Sequence, residues 1–169
     1  QHSLAGLEYE FIVVDDGSTD TTAQEARSAR AEVISNERSE GVGSVIRKAI
    51  KYARANGFSI LVVMAGNSKD DGREIPRLTE PIVKDGFDFV QGSRFLKGGA
   101  YGAMPIYRLF ATKFMHPSIF SFFTGRKITD STNGFRAIRL SIFDNQRINL
   151  DQDWLNKYEL EPYIFYKAI

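Results

Sequence analysis

The chain has 169 residues, 43% hydrophobic and 25% charged, and its 22 Lys and Arg residues against 21 Asp and Glu residues give a formal net charge of +1. This size and composition fit one globular domain with a real core, and the small net charge excludes a global attraction to nucleic acid or anionic lipid. The absence of cysteine excludes disulfides, thiol nucleophiles and cysteine-ligated zinc. It agrees with a reducing compartment, so we expect a cytoplasmic protein.

Predicted strands and helices alternate along the first half of the chain. Runs of β-branched and aromatic residues predict the strands, and Ala-, Glu- and Arg-rich segments predict the helices. The predicted strands span residues 11–14, 32–35, 60–64 and 87–91, and the predicted helices span residues 19–31, 45–55 and 73–84. Thr21 and Gln24 have the spacing of a capping box, and Ile46, Ala49, Ile50 and Ala53 share one helix face. This order predicts an α/β fold with a mostly parallel sheet, whose ligands bind at the carboxyl ends of the strands.

Residues 101–123 are rich in aromatic side chains. Arg108, Lys113, His116 and Pro117 interrupt them and exclude a membrane-spanning helix. Two interpretations stay open: a pair of core helices, or an interfacial surface that meets a lipid or an apolar acceptor. No internal repeat or linker is visible, so we predict a single domain over residues 1–169. Because the chain opens without a methionine, at Gln1, we expect it to be part of a longer protein.

An acidic pair, Asp15 and Asp16, follows the first predicted strand in the stretch VVDDGSTD. Carboxylates at a strand end cost desolvation unless they accept hydrogen bonds, bind a cation or meet a ligand with donor groups. A nucleobase and ribose hydroxyls present such donors, and Gly17 permits close backbone approach. The alternative is that Asp15 or Ser18 caps the following helix.

Three further segments carry polar residues suited to binding. In NERSEGVGSVIR, residues 36–47, a glycine-containing loop with Gly43 leads into a helix whose N-terminus could approach a phosphate; the alternative is a plain loop. Arg94 directly follows a predicted strand and suits a phosphate or a carboxylate. The stretch TDSTNGFRAIR, residues 129–139, is too polar for the core, and its alternative is an ordinary turn before a helix.

The order of these pieces resembles a known family. VVDDGSTD, the glycine loop, VVMAGNSKDDGREIP, GSRFLKGG and DSTNGFRA together resemble family 2 glycosyltransferases of the GT-A fold, particularly the polyprenyl-phosphate and dolichol-phosphate sugar transferases. The resemblance implies an inverting transfer of a sugar from a nucleotide-diphospho-sugar to a polyprenyl-phosphate or glycan acceptor. It also implies a peripheral position on the inner face of the membrane, with contact through residues 101–123.

The resemblance also assigns site residues. It implies catalytic roles for Asp130 and Arg94, with Asp130 the general base if the acceptor is a hydroxyl. Lys69 is a third catalytic candidate, on the ground of the altered metal motif at residues 65–67. The substrate-binding residues that it implies are Asp15, Asp16, Ser18, Gly43, Arg108 and Arg136. Glu161 lies where many relatives carry a glutamate under the site, and a purely structural role for it stays open.

The chain departs from the family pattern at the metal motif. Where relatives read Asp-Ala-Asp and hold Mg²⁺ or Mn²⁺, this chain reads Ala65-Gly66-Asn67, and two lost carboxylates weaken a site for a hard cation. Two interpretations stay open: Asn67 and Asp70, with Asp71 nearby, hold the metal, or Lys69 neutralises the diphosphate without one.

Other departures keep rival interpretations open. The Pro-x-x-Asn-Glu type motif that opens the family is absent before Leu4. Either the N-terminal first strand is missing, together with the C-terminal end, as we expect, or the nucleotide pocket is unusual. A catalytically silent sugar-nucleotide-binding relative would fit the altered metal motif equally well. A receiver-type phosphoacceptor domain, the third candidate, needs an aspartate after the third strand, where Met64 and Ala65 stand.

Overall fold

A computed structural model of the chain describes residues 2–4 and 6–169. The strands are β1 (His2–Leu4), β2 (Leu7–Tyr9), β3 (Ile12–Asp15), β4 (Glu32–Ser35), β5 (Ile60–Val63), β6 (Phe89–Gln91) and β7 (Arg136–Arg139). The α-helices are α1 (Thr22–Ser28), α2 (Val42–Ala55), α3 (Ile75–Asp85), α4 (Ile106–Phe110), α5 (His116–Thr124) and α6 (Leu160–Ala168). Short 3₁₀ turns span Gly72–Glu74, Leu140–Asp144 and Asp153–Asn156, and a π-helical turn spans Ala111–Met115.

The strands pair in three groups. β1 and β2 form an antiparallel hairpin, and β3 pairs in parallel with β4. β7 lies between β5 and β6 and is antiparallel to both. Because β5 and β6 therefore run in the same direction, their carboxyl ends meet at one edge of the sheet, the edge at which β7 begins. The α/β class and the predicted strands before residue 92 are confirmed, whereas β7 is a strand that the sequence analysis did not predict.

The prediction that residues 129–139 are too polar for the core is wrong for residues 135–138, which are buried. Ala137 is completely buried and Ile138 is almost so, at the centre of the three-stranded sheet. Arg136, the charged residue at the start of the strand, is buried with an ion-pair partner, Glu161, which offsets the cost of burying its charge.

Helices cover both faces of the β5–β7–β6 sheet. Leu61 and Ile138 belong to a core cluster with α2 and α6, while Ala137 packs with Leu78 and Ile82 of α3. The alternation along each strand sends successive side chains to opposite faces, which gives the sheet two buried sides. The face of α2 predicted from sequence is confirmed: its members Ile46, Ile50 and Ala53 are buried, and Ala49 packs against the same cluster.

The start of α1 differs from the predicted capping box. Thr21 precedes the helix with φ −78° and ψ 5°, outside the extended region in which an N-cap side chain reaches back to the helix. Its hydroxyl instead donates to the Glu25 carboxylate, 2.7 Å away. The Thr22 N–H donates to Asp20, which takes over part of the capping.

Residues 106–124 form one helical run, whose π-helical turn ends two residues before Pro117. Much of its apolar surface is open to solvent, and Phe122 is 82% exposed. The interpretation of residues 101–123 as a pair of core helices is therefore wrong. We call the exposed side of this run the apolar helix face; its members include Ile106, Tyr107, Phe110, Phe114, Phe122 and Phe123. None of the helices in the described part of the chain has the length and apolar composition that crossing a bilayer requires.

Candidate active site

A cleft of about 850 Å³ lies at the sheet edge where β5 and β6 end and β7 begins. Its walls come from the turn after β5, the loop after β6 and residues 132–135 before β7. Arg108, two residues into α4, closes one side. The cleft therefore occupies the position at which ligands bind in open α/β sheets.

Arg94 and Asp130 form the best-defined ion pair of the cleft. The Arg94 Nε and Nη2 atoms donate to the two Asp130 carboxylate oxygens at 2.8 and 2.9 Å, and the Arg94 backbone N–H adds a third bond at 3.2 Å. Arg94 lines the cleft, whereas the Asp130 side chain is completely buried behind it. A bidentate pair of this kind fixes the plane of the guanidinium as well as its position.

The surroundings of Asp130 keep it ionised. Burial alone would raise its pKa, but the hydrogen bonds from Arg94 and from the Thr132 N–H outweigh burial and hold the pKa below its ordinary value. A carboxylate already engaged by a guanidinium is a weak proton acceptor. The geometry therefore makes Asp130 the group that positions Arg94. A direct role as general base, which the resemblance implied, has no support in this arrangement.

The loop after β6 folds back over Arg94 because of its glycines. A Cβ at Gly99 would lie 2.6 Å from the Arg94 carbonyl oxygen, and Gly98 has φ +88°. The same loop brings Lys97 to the cleft, where Arg77 and Asn133 also lie. None of these three residues was predicted from the sequence as a site residue. Gly98-Gly99 could have indicated the position of Lys97, because a glycine pair is typical of a tight turn directly after that residue.

The turn after β5 contributes Asn67, Lys69 and Asp70 to the cleft wall. Its polar oxygens are partly engaged by its own backbone: Asp70 Oδ2 accepts from the Ala65 N–H at 3.0 Å, and Asn67 Oδ1 accepts from the Lys69 N–H at 3.2 Å. Ser68 has φ +58°, which tightens the turn. Within residues 2–4 and 6–169, no group of three or more His, Asp or Glu side chains is arranged to hold a metal ion. The residues present thus do not fit a hard divalent cation, which prefers several anionic oxygens.

Asp16 lies outside the cleft lining and organises a neighbouring loop instead. Its Oδ1 accepts from the Asn36 amide and the Glu40 N–H at 2.7 and 2.8 Å, and its Oδ2 accepts from the Ser39 hydroxyl and the Gly41 N–H at 2.7 and 3.0 Å. Burial would raise its pKa, but these four bonds together lower it to about 2. Four donors from the protein occupy most of the acceptor capacity of one carboxylate.

The other sequence-predicted residues near Asp16 also serve the protein itself. Asp15 is buried and accepts from the Ser18 N–H at 3.1 Å. A Cβ at Gly17 would lie 2.7 Å from the Arg38 backbone, so the close approach made there is by the chain's own loop. At Gly43 a Cβ would lie 2.6 Å from the Lys157 carbonyl oxygen, because residues 155–157 cover the first turn of α2. That cover corrects the expectation that Gly43 opens a path to a phosphate.

Arg136 is not brought to the cleft either. It is only 4% exposed, and its Nη2 donates to Glu161 Oε1 at 2.7 Å and to the Asn133 carbonyl oxygen at 2.6 Å. Burial lowers the pKa of Arg136, and the Glu161 carboxylate opposes that effect. The expectation that Arg136 faces a phosphate is corrected, because its buried guanidinium is bonded to Glu161 and to backbone carbonyl oxygens.

The structure thus divides the sequence-predicted residues into two sets. The cleft brings together Asn67, Lys69, Asp70, Arg94 and Arg108, with Asp130 supporting Arg94 from behind. The residues that do not line it are Asp15, Asp16, Ser18, Gly43 and Arg136.

The fold and this strand-end cleft are those of a GT-A glycosyltransferase. The chain belongs to glycosyl transferase family 2, whose family model matches residues 2–147. It is 32% identical over 159 residues to the dolichol-phosphate mannosyltransferase of Pyrococcus furiosus, a match that covers 88% of this chain and 42% of that protein. It is 31% identical over 140 residues to the polyprenol monophosphomannose synthase of Mycolicibacterium smegmatis, covering 79% of this chain and 52% of that protein.

Solved structures give the same fold. Glucosyl-3-phosphoglycerate synthase from Mycobacterium tuberculosis, in complex with phosphoglyceric acid, matches with a TM-score of 0.60 at 20% identity, over 82% of this chain and 48% of that one. A second structure of that enzyme, which holds Mn²⁺, uridine diphosphate and glucosyl-3-phosphoglycerate, matches with a TM-score of 0.55 at 21% identity, over 82% and 48% of the two chains. The chain spans about half the length of the curated relatives it matches.

Proposed function

We propose that this domain transfers a sugar from a nucleotide-diphospho-sugar to a polyprenyl phosphate. The observation that carries the proposal is the cleft itself, in which Arg94, fixed by Asp130, lies with Lys69 and Arg108 at the carboxyl ends of two parallel strands. Such a set of cations suits a diphosphate and a phosphate monoester in one site. The relatives that act on dolichol or polyprenol phosphate support this choice of acceptor.

The position of the apolar helix face favours a lipid acceptor over a glycan. Met104 and Arg108 line the cleft, and the exposed Ile106, Tyr107 and Phe110 lie beside them in sequence and along α4. A polyprenyl phosphate could place its phosphate against Arg108 and its hydrocarbon tail along this face. Exposed apolar patches of this kind mark contacts with membranes or other apolar partners. These exposed residues support the proposal of a peripheral contact with a membrane.

The reaction that fits this site is a single displacement at the anomeric carbon with inversion. A phosphate oxygen of the acceptor attacks the anomeric carbon, the bond from that carbon to the diphosphate oxygen breaks, and the electron pair leaves with the nucleoside diphosphate. An ionised phosphate needs no general base, which is consistent with Asp130 being engaged by Arg94. Arg94 and the cleft lysines would stabilise the charge that develops on the leaving group.

Transfer assays test this proposal directly. The protein is incubated with radiolabelled GDP-mannose, UDP-glucose or UDP-N-acetylglucosamine and with a polyprenyl phosphate in detergent, and the label in the organic extract is counted. We expect one donor to give a lipid-linked product of inverted anomeric configuration by NMR. Arg94→Ala should abolish the transfer, while Arg126→Ala, an exposed arginine outside the cleft, should retain it.

A catalytically silent relative remains the second candidate, and the altered Ala65-Gly66-Asn67 turn favours it. The two candidates differ in one outcome. A silent relative binds a nucleotide-sugar in calorimetry yet transfers no label to any acceptor. Absence of both binding and transfer across the donor panel would reject both candidates.

Vesicle binding tests the lipid contact separately. Phe110 and Phe122 are 62% and 82% exposed on the apolar helix face, so Phe110→Ser with Phe122→Ser should sharply reduce co-sedimentation with phospholipid vesicles. Tyr158→Ser is the matched control, because Tyr158 is equally exposed and lies elsewhere. Equal vesicle binding by the double variant and the control would contradict the membrane contact.

A further inference from the structure

The carboxylates nearest the cleft are already committed to partners in the protein. Asp71 pairs with the Arg73 guanidinium through contacts of 2.7 to 3.0 Å, which lower its pKa to about 2. Asp70 Oδ2 is bonded to the Ala65 N–H, and Glu74 pairs with Arg77 at 2.7 Å. One oxygen of Asp70 and the neutral oxygen of Asn67 are a poor ligand set for Mg²⁺ or Mn²⁺, which bind through several carboxylate oxygens.

Several cationic side chains of the same cleft, by contrast, have no carboxylate partner among the described residues. Arg77 and Arg94 have carboxylate partners, but Lys69, Lys97 and Arg108 make no ion pair with any described residue. All three side chains are exposed and line one cleft. Three uncompensated positive charges that converge on a cleft with one unpaired carboxylate, Asp70, create a local positive potential, although the whole chain is nearly neutral.

From these two observations we infer that the cleft binds the donor diphosphate without a divalent cation, with Lys69 and Lys97 supplying the positive charge and Arg108 left for the acceptor phosphate. This inference rests on the proposed function, because it assumes that a nucleoside diphosphate is the ligand. Ammonium and guanidinium groups form charge-assisted hydrogen bonds with phosphate oxygens and need no further ligands to do so. During transfer, the same groups meet the negative charge that the leaving diphosphate gains.

Of the cleft cations, Lys69 lies nearest in sequence to Ala65-Gly66-Asn67, the segment that replaces the metal motif. Lys69 lies two positions after Asn67, and its backbone N–H donates a hydrogen bond to the Asn67 side-chain oxygen. The Asn67 side chain therefore helps to fix the backbone of Lys69. A carboxylate at position 67 would draw the Lys69 ammonium toward itself. The neutral amide leaves that ammonium available to a ligand.

Calorimetric titration of the protein with UDP, GDP, CDP and dTDP, each in EDTA and then in Mn²⁺, tests the inference. We expect one nucleotide to bind in EDTA, with an affinity that Mn²⁺ changes by no more than about twofold. Binding of one nucleotide only in Mn²⁺ would overturn the inference and leave the proposed function standing. No binding under either condition would overturn the proposed function itself, so the two failures are distinguishable.

Lysine variants test which groups carry the charge. Lys69→Gln and Lys97→Gln should each weaken binding of the nucleoside diphosphate about tenfold in EDTA, and weaken the matching monophosphate only about twofold, because the lost contact is to the added phosphate. Lys127→Gln is the control, since Lys127 is an exposed lysine outside the cleft that makes no ion pair within the described residues. Diphosphate affinities in the cleft variants equal to that of the control would overturn the assignment.

Discussion

Asp16 shows how one side chain can hold a loop in place. Its carboxylate accepts four hydrogen bonds from residues 36–41, and Asn36 in turn accepts from Lys48 Nζ at 2.5 Å. The loop between β4 and α2 is therefore attached to the end of β3 through a single ionised group. This structural role is one that the VVDDGSTD stretch did not indicate, and the predicted ligand contact of Asp16 stays a prediction.

Asp16→Asn should destabilise the protein by about 2 kcal/mol at pH 7, because an amide oxygen replaces one charged acceptor and an amide donor faces the N–H of Gly41 or the hydroxyl of Ser39. Urea unfolding measures the change. Asp85→Asn, on an exposed aspartate at the end of α3, should change the free energy of unfolding by less than about 0.5 kcal/mol.

The stability difference between the wild type and Asp16→Asn should depend on pH. The pKa of Asp16 is lowered from 3.8 to about 2 in the folded protein, so its stabilising effect is complete above about pH 4 and is lost as the pH falls toward 2. The difference in unfolding free energy between wild type and Asp16→Asn should therefore shrink over that range. A difference that stays constant down to pH 2.5 would show that the hydrogen bonds to Asp16 do not depend on its charge.

Asp130→Asn should lower kcat/KM by at least about tenfold, because Arg94 loses its bidentate acceptor and its fixed orientation. A positioning role predicts that the acid limb of the pH–rate profile keeps its shape in the variant. It also predicts that Arg94→Lys combined with Asp130→Asn loses little more activity than either variant alone. Disappearance of the acid limb in Asp130→Asn would instead identify Asp130 as the general base.

α2 depends on close contact with the segment that covers its first turn. Residues 155–157 pass so near the helix that position 43 has no room for a side chain. Gly41, which precedes the helix with φ +101°, meets the Asn156 carbonyl oxygen in the same way. The glycines of the 36–47 stretch are thus explained by packing between two parts of the chain that lie more than 110 positions apart.

Gly43→Ala should cost about 1 to 3 kcal/mol of stability, because the new methyl group would force residues 155–157 away from α2. The midpoint of urea unfolding measures the loss. Gly72→Ala serves as the matched control, since a Cβ at Gly72 meets nothing within 4 Å and its backbone is not in the left-handed region. Equal midpoints for the two variants would mean that the 155–157 segment moves aside without cost.

The molecule as a whole is tied together by β7 and the ion pair at its start. Arg136 lies in the central strand and Glu161 lies on α6, so this pair joins the sheet to the last helix. The Arg136 guanidinium also lies over the Phe89 ring at 5.9 Å. Because Arg136 is almost completely buried, its charge depends on Glu161 and two backbone carbonyl groups for compensation.

Glu161→Ala should destabilise the protein by about 3 kcal/mol, because it leaves the buried Arg136 charge without its partner. Arg136→Met combined with Glu161→Ala should recover part of that loss, since an apolar side chain of similar length needs no counter-charge. Thermal or urea unfolding of both variants gives the comparison. A double variant less stable than Glu161→Ala would show that Arg136 contributes through its backbone contacts and not through the pair.

The local patterns of the sequence were sufficient for much of the fold. Runs of β-branched residues predicted β3, β4, β5 and β6, and the spacing of Ile46, Ile50 and Ala53 predicted the buried side of α2. These features depend on neighbours two to four positions apart, which the sequence displays directly. Similarly, Arg94 was predicted to reach a ligand site because it follows a strand, and it does line the cleft.

By itself, then, the sequence determined the α/β class, the family through its ordered motifs, and the cleft residues that follow strand ends, among them Lys69 and Arg94. Only the tertiary structure decided that β7 inserts between β5 and β6, that Asp16 accepts hydrogen bonds from the 36–41 loop, that Gly43 packs against residues 155–157, and that Arg136 pairs with Glu161. The physical reason is that a polar side chain looks the same in a sequence whether its partner is a ligand or another residue. Its partner is set by contacts between distant positions, such as Arg94 and Asp130, which are 36 positions apart in the sequence.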